Sequence, residues 1–338
     1  MKDVAALAGV SPKTVSNVVT GTFAVSGETR ARVEQAMQQL DFVPNLSARG
    51  MRTGRSGTIA VALPDLATAY SAELVHSLVQ AAHQRGLAVQ IEETALEPER
   101  EGELLARART RLVDGLILNP VRLEDSVLRD ADQLPPLVVI GEVEQQRADH
   151  VRIDSRRAAA DITRHVLTRG ATRIAVLGGD DDPQNSTATS RLRLEGVRDA
   201  LHEAGIAHEP RLEINRLPWS MLTGAAAMDE LVDRGLPFDA VIAFTDSLAF
   251  GALHALDARG IRVPDDVLVT GFDDVELSAF TAPALTTIAF DRDALAEAAL
   301  SLLTSRMDDR AMPPRGITLA HTLKERASTS RPPAGHRP

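Results

Sequence analysis

Residues 2–20 read Lys2-Asp3-Val4-Ala5-Ala6-Leu7-Ala8-Gly9-Val10-Ser11-Pro12-Lys13-Thr14-Val15-Ser16-Asn17-Val18-Val19-Thr20. The spacing predicts two short helices joined by a tight turn. Val4, Leu7 and Ala8 recur at i, i+3 and i+4, one face of a helix. Gly9 follows as a terminating cap. Ser11 can cap the next helix, and Pro12 suits its first position, where a missing N–H costs nothing. Val15, Val18 and Val19 share one face of that second helix, and Lys13 and Asn17 share the other. This is a helix-turn-helix pattern, whose second helix fits the major groove of DNA.

A third element begins at Ser26. Val33, Ala36, Met37 and Leu40 recur at helical spacing, Phe42 and Val43 close the small core, and Pro44 ends the segment. Residues 45–57 follow, with Asn45 as a possible cap and glycines at Gly50, Gly54 and Gly57. Two readings stay open for this stretch: a flexible linker, or a short hinge helix that forms only on DNA.

The chain has 338 residues, no cysteine and a net charge of −10. Thiolate chemistry and disulfides are excluded, and a reducing cytoplasm is the expected compartment. No apolar run approaches the ~18 residues of a membrane span, and no signal peptide is visible. The overall negative charge argues against a general nucleic-acid binder. Its distribution does not: residues 1–57 hold seven basic side chains against four acidic ones. A basic head on an acidic body is the asymmetry expected when one end meets phosphates.

From Thr58 the pattern alternates between strand and helix. Strands are predicted at Thr58–Leu63, Leu87–Ile91, Gly115–Leu118, Leu137–Ile140, Arg173–Leu177, Ala240–Phe244 and Val267–Thr270. Helical patterns lie between many of them, at Ala72–Gln84, Arg156–Thr168, Arg191–Ala204, Met221–Val232 and Ser247–Ala258. This predicts parallel sheets wrapped by helices, in two units, with ligands outside the carboxyl ends of the strands. Polar residues cluster just there: Asp65, Tyr70, Asn119, Glu142, Thr245 and Asp273 follow strands, and Arg193 starts a helix. Trp219, the one tryptophan, precedes a helix and can stack on a sugar ring or a base; a core or surface aromatic is the other reading. Asp180-Asp181-Asp182 lacks metal-ligand spacing and reads as a solvated loop. Gly178-Gly179 does not complete a dinucleotide-binding motif, and no catalytic constellation stands out.

These residues resemble the LacI/GalR family of bacterial transcription regulators. The resemblance is carried by Asp3-Val4-Ala5 through Val18, Val25-Ser26 with Thr29-Arg30 and Val33, Pro44-Asn45 with Ala48-Arg49, and Arg52-Thr53-Gly54. Late in the chain it is carried by Asp273-Asp274 and Pro283-Ala284-Leu285-Thr286-Thr287-Ile288. It implies an all-α helix-turn-helix headpiece plus an α/β core of two parallel-sheet lobes with a cleft, similar to periplasmic sugar-binding proteins. The expected division is a headpiece at 1–44, a hinge at 45–57, a core at 58–327 and a disordered tail at 328–338. One lobe would take about 58–156 and 289–315, the other about 157–288 and 316–327. A homodimer on near-palindromic operator DNA, with no cofactor and no metal, is further implied.

By the same resemblance, Pro12, Lys13 and Asn17 stand where the family reads bases. Ser11, Thr14 and Ser16 suit phosphates, although Ser11 serves equally as an N-cap. In the hinge, Asn45, Ala48, Arg49 and Arg52 match DNA-facing positions, with exposed linker charge as the other reading of the arginines. Met51 stands where a leucine usually wedges into the minor groove, and Thr20 replaces the family's usual Asn. In the core, Arg193 and Asp273 match effector-binding positions, and Thr245 replaces a frequent Asn. A guanidinium and a carboxylate suit sugar hydroxyls. The expectation is a repressor governed by a sugar-like effector. The alternatives are a nucleoside- or purine-responsive regulator, a sugar-binding transport or sensor protein without a regulatory role, which would leave residues 1–57 unexplained, and a dinucleotide enzyme, which would need a glycine motif and a catalytic constellation that the sequence does not show.

Overall fold

The computed structural model describes residues 1–20, 23–42, 55–110, 112–120, 128, 134–182 and 186–330. They form two compact units, Met1–Ser56 and Gly57–Pro338.

The first unit holds α1 (Lys2–Ala8), α2 (Pro12–Thr20) and α3 (Gly27–Gln39). Gly9 takes the left-handed conformation at φ 62°, and the Val10 N–H returns to the Ala5 carbonyl at 3.0 Å. Only glycine enters that region without steric cost, so the turn is sharp and α2 starts three residues later. Ser11 Oγ accepts the Thr14 N–H at 3.1 Å, and Ser26 Oγ accepts that of Thr29 at 3.4 Å. The core is Val4, Ala5, Ala8, Val15, Val18, Val33 and Ala36, rimmed by Val10, Val19, Val25, Met37 and Phe42. Leu7, expected on the buried face, is half exposed, and Ala5 takes its place. A face of alanines lets short helices approach closely, and Leu7 falls one position outside the contact. Val43, Pro44 and the hinge positions Asn45, Ala48, Arg49, Met51 and Arg52 lie outside the described residues.

The second unit is built on two sheets. In the first, β1 (Thr58–Leu63), β2 (Ala88–Glu93), β3 (Gly115–Leu118), β4 (Leu137–Ile140), β5 (Asp149–Ile153) and β11 (Gly316–Leu319) run in the order β11-β5-β4-β3-β1-β2, all parallel. In the second, β6 (Ile174–Leu177), β7 (Glu213–Ile214), β8 (Ala240–Ala243), β9 (Leu268–Phe272), β10 (Thr286–Phe290) and β12 (His321–Lys324) run in the order β12-β10-β9-β8-β6-β7. Only the edge strand β12 is antiparallel there. The inner strands β1, β3, β4, β6 and β8 are nearly continuous apolar runs because both faces are covered, whereas β5, β9 and β10 are mixed in composition. On the first sheet, α4 (Ala69–Gln84) and α10 (Arg292–Asp308) bury Leu74, Leu78, Leu295 and Leu300 on one face, and α5 (Pro98–Arg109) buries Leu104 and Leu105 on the other. On the second sheet, α6 (Ser155–Thr168) and α7 (Ala188–Glu203) cover one face, and α8 (Met221–Asp233) and α9 (Asp246–Ala258) the other. A Cβ on Gly196 would sit 2.0 Å from the Arg156 carbonyl oxygen, so α6 and α7 touch backbone to side at that point.

The chain passes between the sheets after Ile153, after Phe290 and between β11 and β12. The last two passages differ from expectation. Residues 289–290 belong to the second sheet, and Gly316–Leu319 pairs with β5 of the first rather than joining the second lobe. Both β11 and β12 are short edge strands with alternating exposure, and alternation alone does not say which sheet they extend.

The expected tail also begins later than Ser328. Ser328 is fully buried; its hydroxyl donates to the Val269 carbonyl at 2.6 Å and accepts the Thr286 N–H at 2.8 Å. Thr329 joins Thr286 and His165 in the same buried cluster. The segment is a strap across β9 and β10. Ser328→Ala leaves a buried N–H and carbonyl without partners and should cost about 1–3 kcal/mol in urea unfolding. An unchanged midpoint would show the strap to be dispensable.

Candidate effector cleft and nucleic-acid interface

The eight residues predicted for a ligand site, Asp65, Tyr70, Asn119, Glu142, Arg193, Trp219, Thr245 and Asp273, line a single cavity of about 460 Å³ in the core unit. All but Arg193, which projects from within α7, arrive by a short route from a strand end. Asp65 follows β1, Asn119 follows β3, Glu142 follows β4 and Asp273 follows β9. Tyr70 lies in the first turn of α4, Thr245 caps α9, and Trp219 precedes α8. Strands of two parallel sheets thus deliver polar groups to facing edges, as the topology requires.

Arg193 is the centre of this arrangement. Its guanidinium lies 3.4 Å from the centroid of the Phe272 ring, donates to the Phe244 carbonyl, and donates through Nε to Ser155 Oγ at 3.3 Å. Burial lowers its pKa, and the nearby Asp273 and Glu142 charges oppose that shift. Burial raises the Asp273 carboxyl well above the ordinary carboxylate range, against the pull of Arg193. Burial likewise pushes Glu142 up to about 7, opposed by Arg193 and by a hydrogen bond with Ser155. Asp273 also sits at φ 112°, a conformation that non-glycine residues rarely adopt.

The aromatic side chains form the apolar wall. Tyr70 meets Phe290 edge to face at 6.2 Å, and burial raises its hydroxyl pKa. Trp219 meets Phe244 in the same way at 6.3 Å, and its indole N–H donates to Asn215 Oδ1 at 2.9 Å. With that N–H engaged, the ring contributes its apolar surface. A Cβ on Gly141 would stand 2.7 Å from Asn119 Oδ1, and Gly141 takes φ 97°, so glycine suits the position beside this amide. Thr245 Oγ1 accepts the Leu248 N–H at 3.3 Å, and Asp65 Oδ1 accepts that of Ala67 at 2.7 Å. Asp154 caps α6 by accepting the Arg157 N–H at 3.0 Å.

Sequence reasoning missed Thr68, Arg152, Ser247 and Phe290 in this lining. Arg152 and Phe290 lie on β5 and β10, strands whose mixed composition gave no clear apolar run. Thr68 and Ser247 begin helices, where capping is the simpler expectation.

Beneath the cleft, Asp246 is fully buried and accepts hydrogen bonds from Thr287 Oγ1, Ser278 Oγ and the Val275 N–H at 2.6, 2.7 and 2.9 Å. It ties α9 to β10 and to the loop after Asp273. Of the acidic run, Asp181 pairs with Arg198, and Asp180 accepts the Asp182 and Asn215 N–H groups. Among the described residues no group of His, Asp and Glu side chains could hold a metal ion, and no helix is long and apolar enough to cross a membrane.

In the headpiece unit, Ser11, Pro12 and Lys13 are exposed, and Thr14 and Asn17 are half-buried. Ser16 is buried, against the expectation of a phosphate contact, and Ser11 before α2 and Thr14 within it are more accessible.

Residues 1–45 match the family of bacterial regulatory proteins of the lacI type, and residues 163–329 match the periplasmic binding protein-like domain. The chain is 32% identical over 309 residues to the HTH-type transcriptional repressor CytR of Escherichia coli (strain K12), covering 91% of this chain and 89% of that one. The chain belongs to the LacI family. Among solved structures, the lac repressor dimer bound to operator and the anti-inducer ONPF superposes with a TM-score of 0.81 at 28% identity, covering 97% of this chain and 98% of that one. The CelR–cellobiose complex superposes with a TM-score of 0.71 at 30% identity, over 97% and 98% of the two chains. The LacI-family assignment makes this chain a DNA-binding transcriptional repressor with an effector-binding core, not an enzyme.

The elevated Glu142 pKa has a thermodynamic consequence. The fold favours its neutral form, so the stabilisation is complete below pH 4.5 and is lost as pH rises through about 7. Glu142→Gln keeps a neutral hydrogen-bonding side chain at all pH. Relative to the parent, it should gain at most about 3 kcal/mol in unfolding free energy between pH 4.5 and pH 8. Parallel pH profiles for the two proteins would contradict the burial of an ionisable Glu142.

Proposed function

We propose that the cleft takes a neutral, polyhydroxylated effector, a sugar or sugar derivative, and that its occupancy sets operator affinity. The observation that carries this reading is the pairing of Arg193 and Asp273 with the ring surfaces of Tyr70, Trp219 and Phe290 around one cavity. Hydroxyls both donate and accept, so they satisfy a guanidinium and a carboxyl at once. The C–H face of a sugar ring suits an aromatic wall. The cavity volume falls in the range of ~300–1,000 Å³ usual for small-molecule sites. Asp65 and Glu93 line it opposite Arg152 and Arg193, and burial holds Glu142 and Asp273 toward their neutral forms, so the lining offers no surplus positive charge to an anionic occupant. The cellobiose held by the related CelR structure supports the same class.

On the DNA side, we propose that Lys13 and Asn17 read base edges, Pro12 lies against them, and Ser11 and Thr14 position the phosphates, while the buried Ser16 does not. Lysine matches guanine O6 and N7, and asparagine matches adenine N6 and N7. Asn45, Ala48, Arg49, Met51 and Arg52 would form the hinge contacts, with the Met51 side chain wedged into the minor groove. The working form is a cytoplasmic homodimer on a near-palindromic site. Met221 and Leu222 at the start of α8, and Leu277 and Phe280 beyond Asp273, flank α9 and expose apolar surface suited to a second copy.

Two measurements test these readings. Full-length protein should select a near-palindromic sequence from random DNA at about 150 mM salt, where non-specific binding has weakened. Lys13→Ala and Asn17→Ala should each cost about 1–3 kcal/mol on that site with unchanged folding; absence of any selected sequence would contradict the DNA reading. In a thermal-shift panel of sugars, sugar alcohols and nucleosides, the stabilising compounds should be sugars. Arg193→Ala should abolish the shift while operator affinity persists. A response confined to nucleosides would replace the sugar assignment.

A further inference from the structure

Asp273 and Asp274 stand at φ 112° and φ 51° in succession. Two such non-glycine residues side by side persist only where the surroundings hold them. From the second lobe, the Asp273 N–H donates to the Ile288 carbonyl at 2.9 Å, and Arg326 Nη2 pairs with Asp274 Oδ1 at 2.6 Å. Asp246 of the same lobe holds the next residues through the Val275 N–H and the Ser278 hydroxyl. Further restraints come from the other lobe. Arg292, the first residue of α10, donates through Nη1 to the Asp273 carbonyl at 2.5 Å and through Nη2 to the Asp274 carbonyl at 3.0 Å. The same Nη2 pairs with Glu73 Oε2 on α4 at 2.6 Å, and Glu73 Oε1 accepts the Glu276 N–H at 2.8 Å. Both α4 and α10 pack on the first sheet through Leu74, Leu78, Leu295 and Leu300. One ion pair of the first lobe therefore grips three backbone sites, at Asp273, Asp274 and Glu276, of the second lobe's cleft loop.

We propose that Glu73 and Arg292 are positioning residues: an interlobe clasp that aims the Asp273 carboxyl into the cleft and ties the angle between the lobes to the shape of that loop. The planar guanidinium matters because its two nitrogens reach two carbonyls at once, which an ammonium point charge cannot do. Glu73 orients the guanidinium and holds the loop at Glu276, so all three contacts must release together when the lobes separate on this side. Any occupant that draws Asp273 toward itself then pulls on a loop already attached to the opposite lobe. The consequence for the effector rests on the proposed role of Asp273; the clasp itself does not.

The absence of native cysteine allows a direct test. Gln84→Cys on α4 and His202→Cys on α7 place spin labels on exposed sites of the two lobes. The interlobe distance is then measured by pulsed electron spin resonance in full-length protein diluted with unlabelled chain. The parent should give one narrow distance. Arg292→Met should add a second, longer population, and Arg292→Lys should fall between them. Glu73→Gln, which keeps the side-chain size, repeats the test should Arg292→Met fold poorly. Superimposable distributions for parent, Arg292→Met and Glu73→Gln would overturn the clasp. Sugar affinity is read on the same variants, with a loss of at least tenfold expected for Arg292→Met. Altered distances with no sugar bound even by the parent would leave the clasp standing and remove the sugar reading.

Discussion

The Arg193 guanidinium is buried between the Phe272 ring and the Phe244 carbonyl, and much of the core follows from keeping it there. A buried charge is costly unless paired and hydrogen-bonded. The chain meets that demand with Ser155 from the segment that passes between the sheets, and with the fields of Glu142 from one lobe and Asp273 from the other. The two carboxyl groups pay no simple role as counter-ions, since burial holds both toward their neutral forms. The result is a polar centre with donors and acceptors in near balance, framed by apolar rings. Such a centre suits uncharged hydroxyls better than a phosphate. Asp246 supplies the footing below it by joining α9, β10 and the loop that carries Asp273.

Packing and function are separated differently in the headpiece. Among the described residues its buried apolar side chains are all Val or Ala, and α2 turns Val15 and Val18 inward while Lys13 remains exposed. Three short helices around so few apolar side chains gain little from burial. Local devices carry a larger share of the definition: the left-handed Gly9, the Ser11 cap and the Ser26 cap. The exposed face of α2 is thereby free of structural duty and open to base recognition.

Much of this was legible in the sequence, for physical reasons that differ by element. Thr58–Leu63, Gly115–Leu118 and Leu137–Ile140 read correctly to the residue because inner parallel strands are buried on both faces and appear as unbroken apolar runs. Asp65, Asn119 and Glu142 were found through position, since groups at the carboxyl ends of such strands face the cleft, whereas Arg193, inside α7, was marked by the family resemblance. Edge strands carry no such signal. Gly316–Leu319 and His321–Lys324 are separated by Ala320 alone, yet extend different sheets, and only long-range pairing decides that. Ser328 looked like the start of a polar tail because its partners, Val269 and Thr286, lie some 40 to 60 residues upstream. The clasp was invisible for the same reason: Glu73 and Arg292 are ordinary helix-surface residues until the fold brings a strained loop against them.

The central claim is that cleft and operator are linked through one equilibrium. Linkage is reciprocal in binding free energy, with couplings of about 1–3 kcal/mol typical. The decisive measurement is calorimetric titration of a stabilising sugar into the full-length protein, free and saturated with its selected operator. Operator should change sugar affinity by the same factor, about 5–150-fold, by which sugar changes operator affinity. Identical sugar affinity in the two titrations would contradict it.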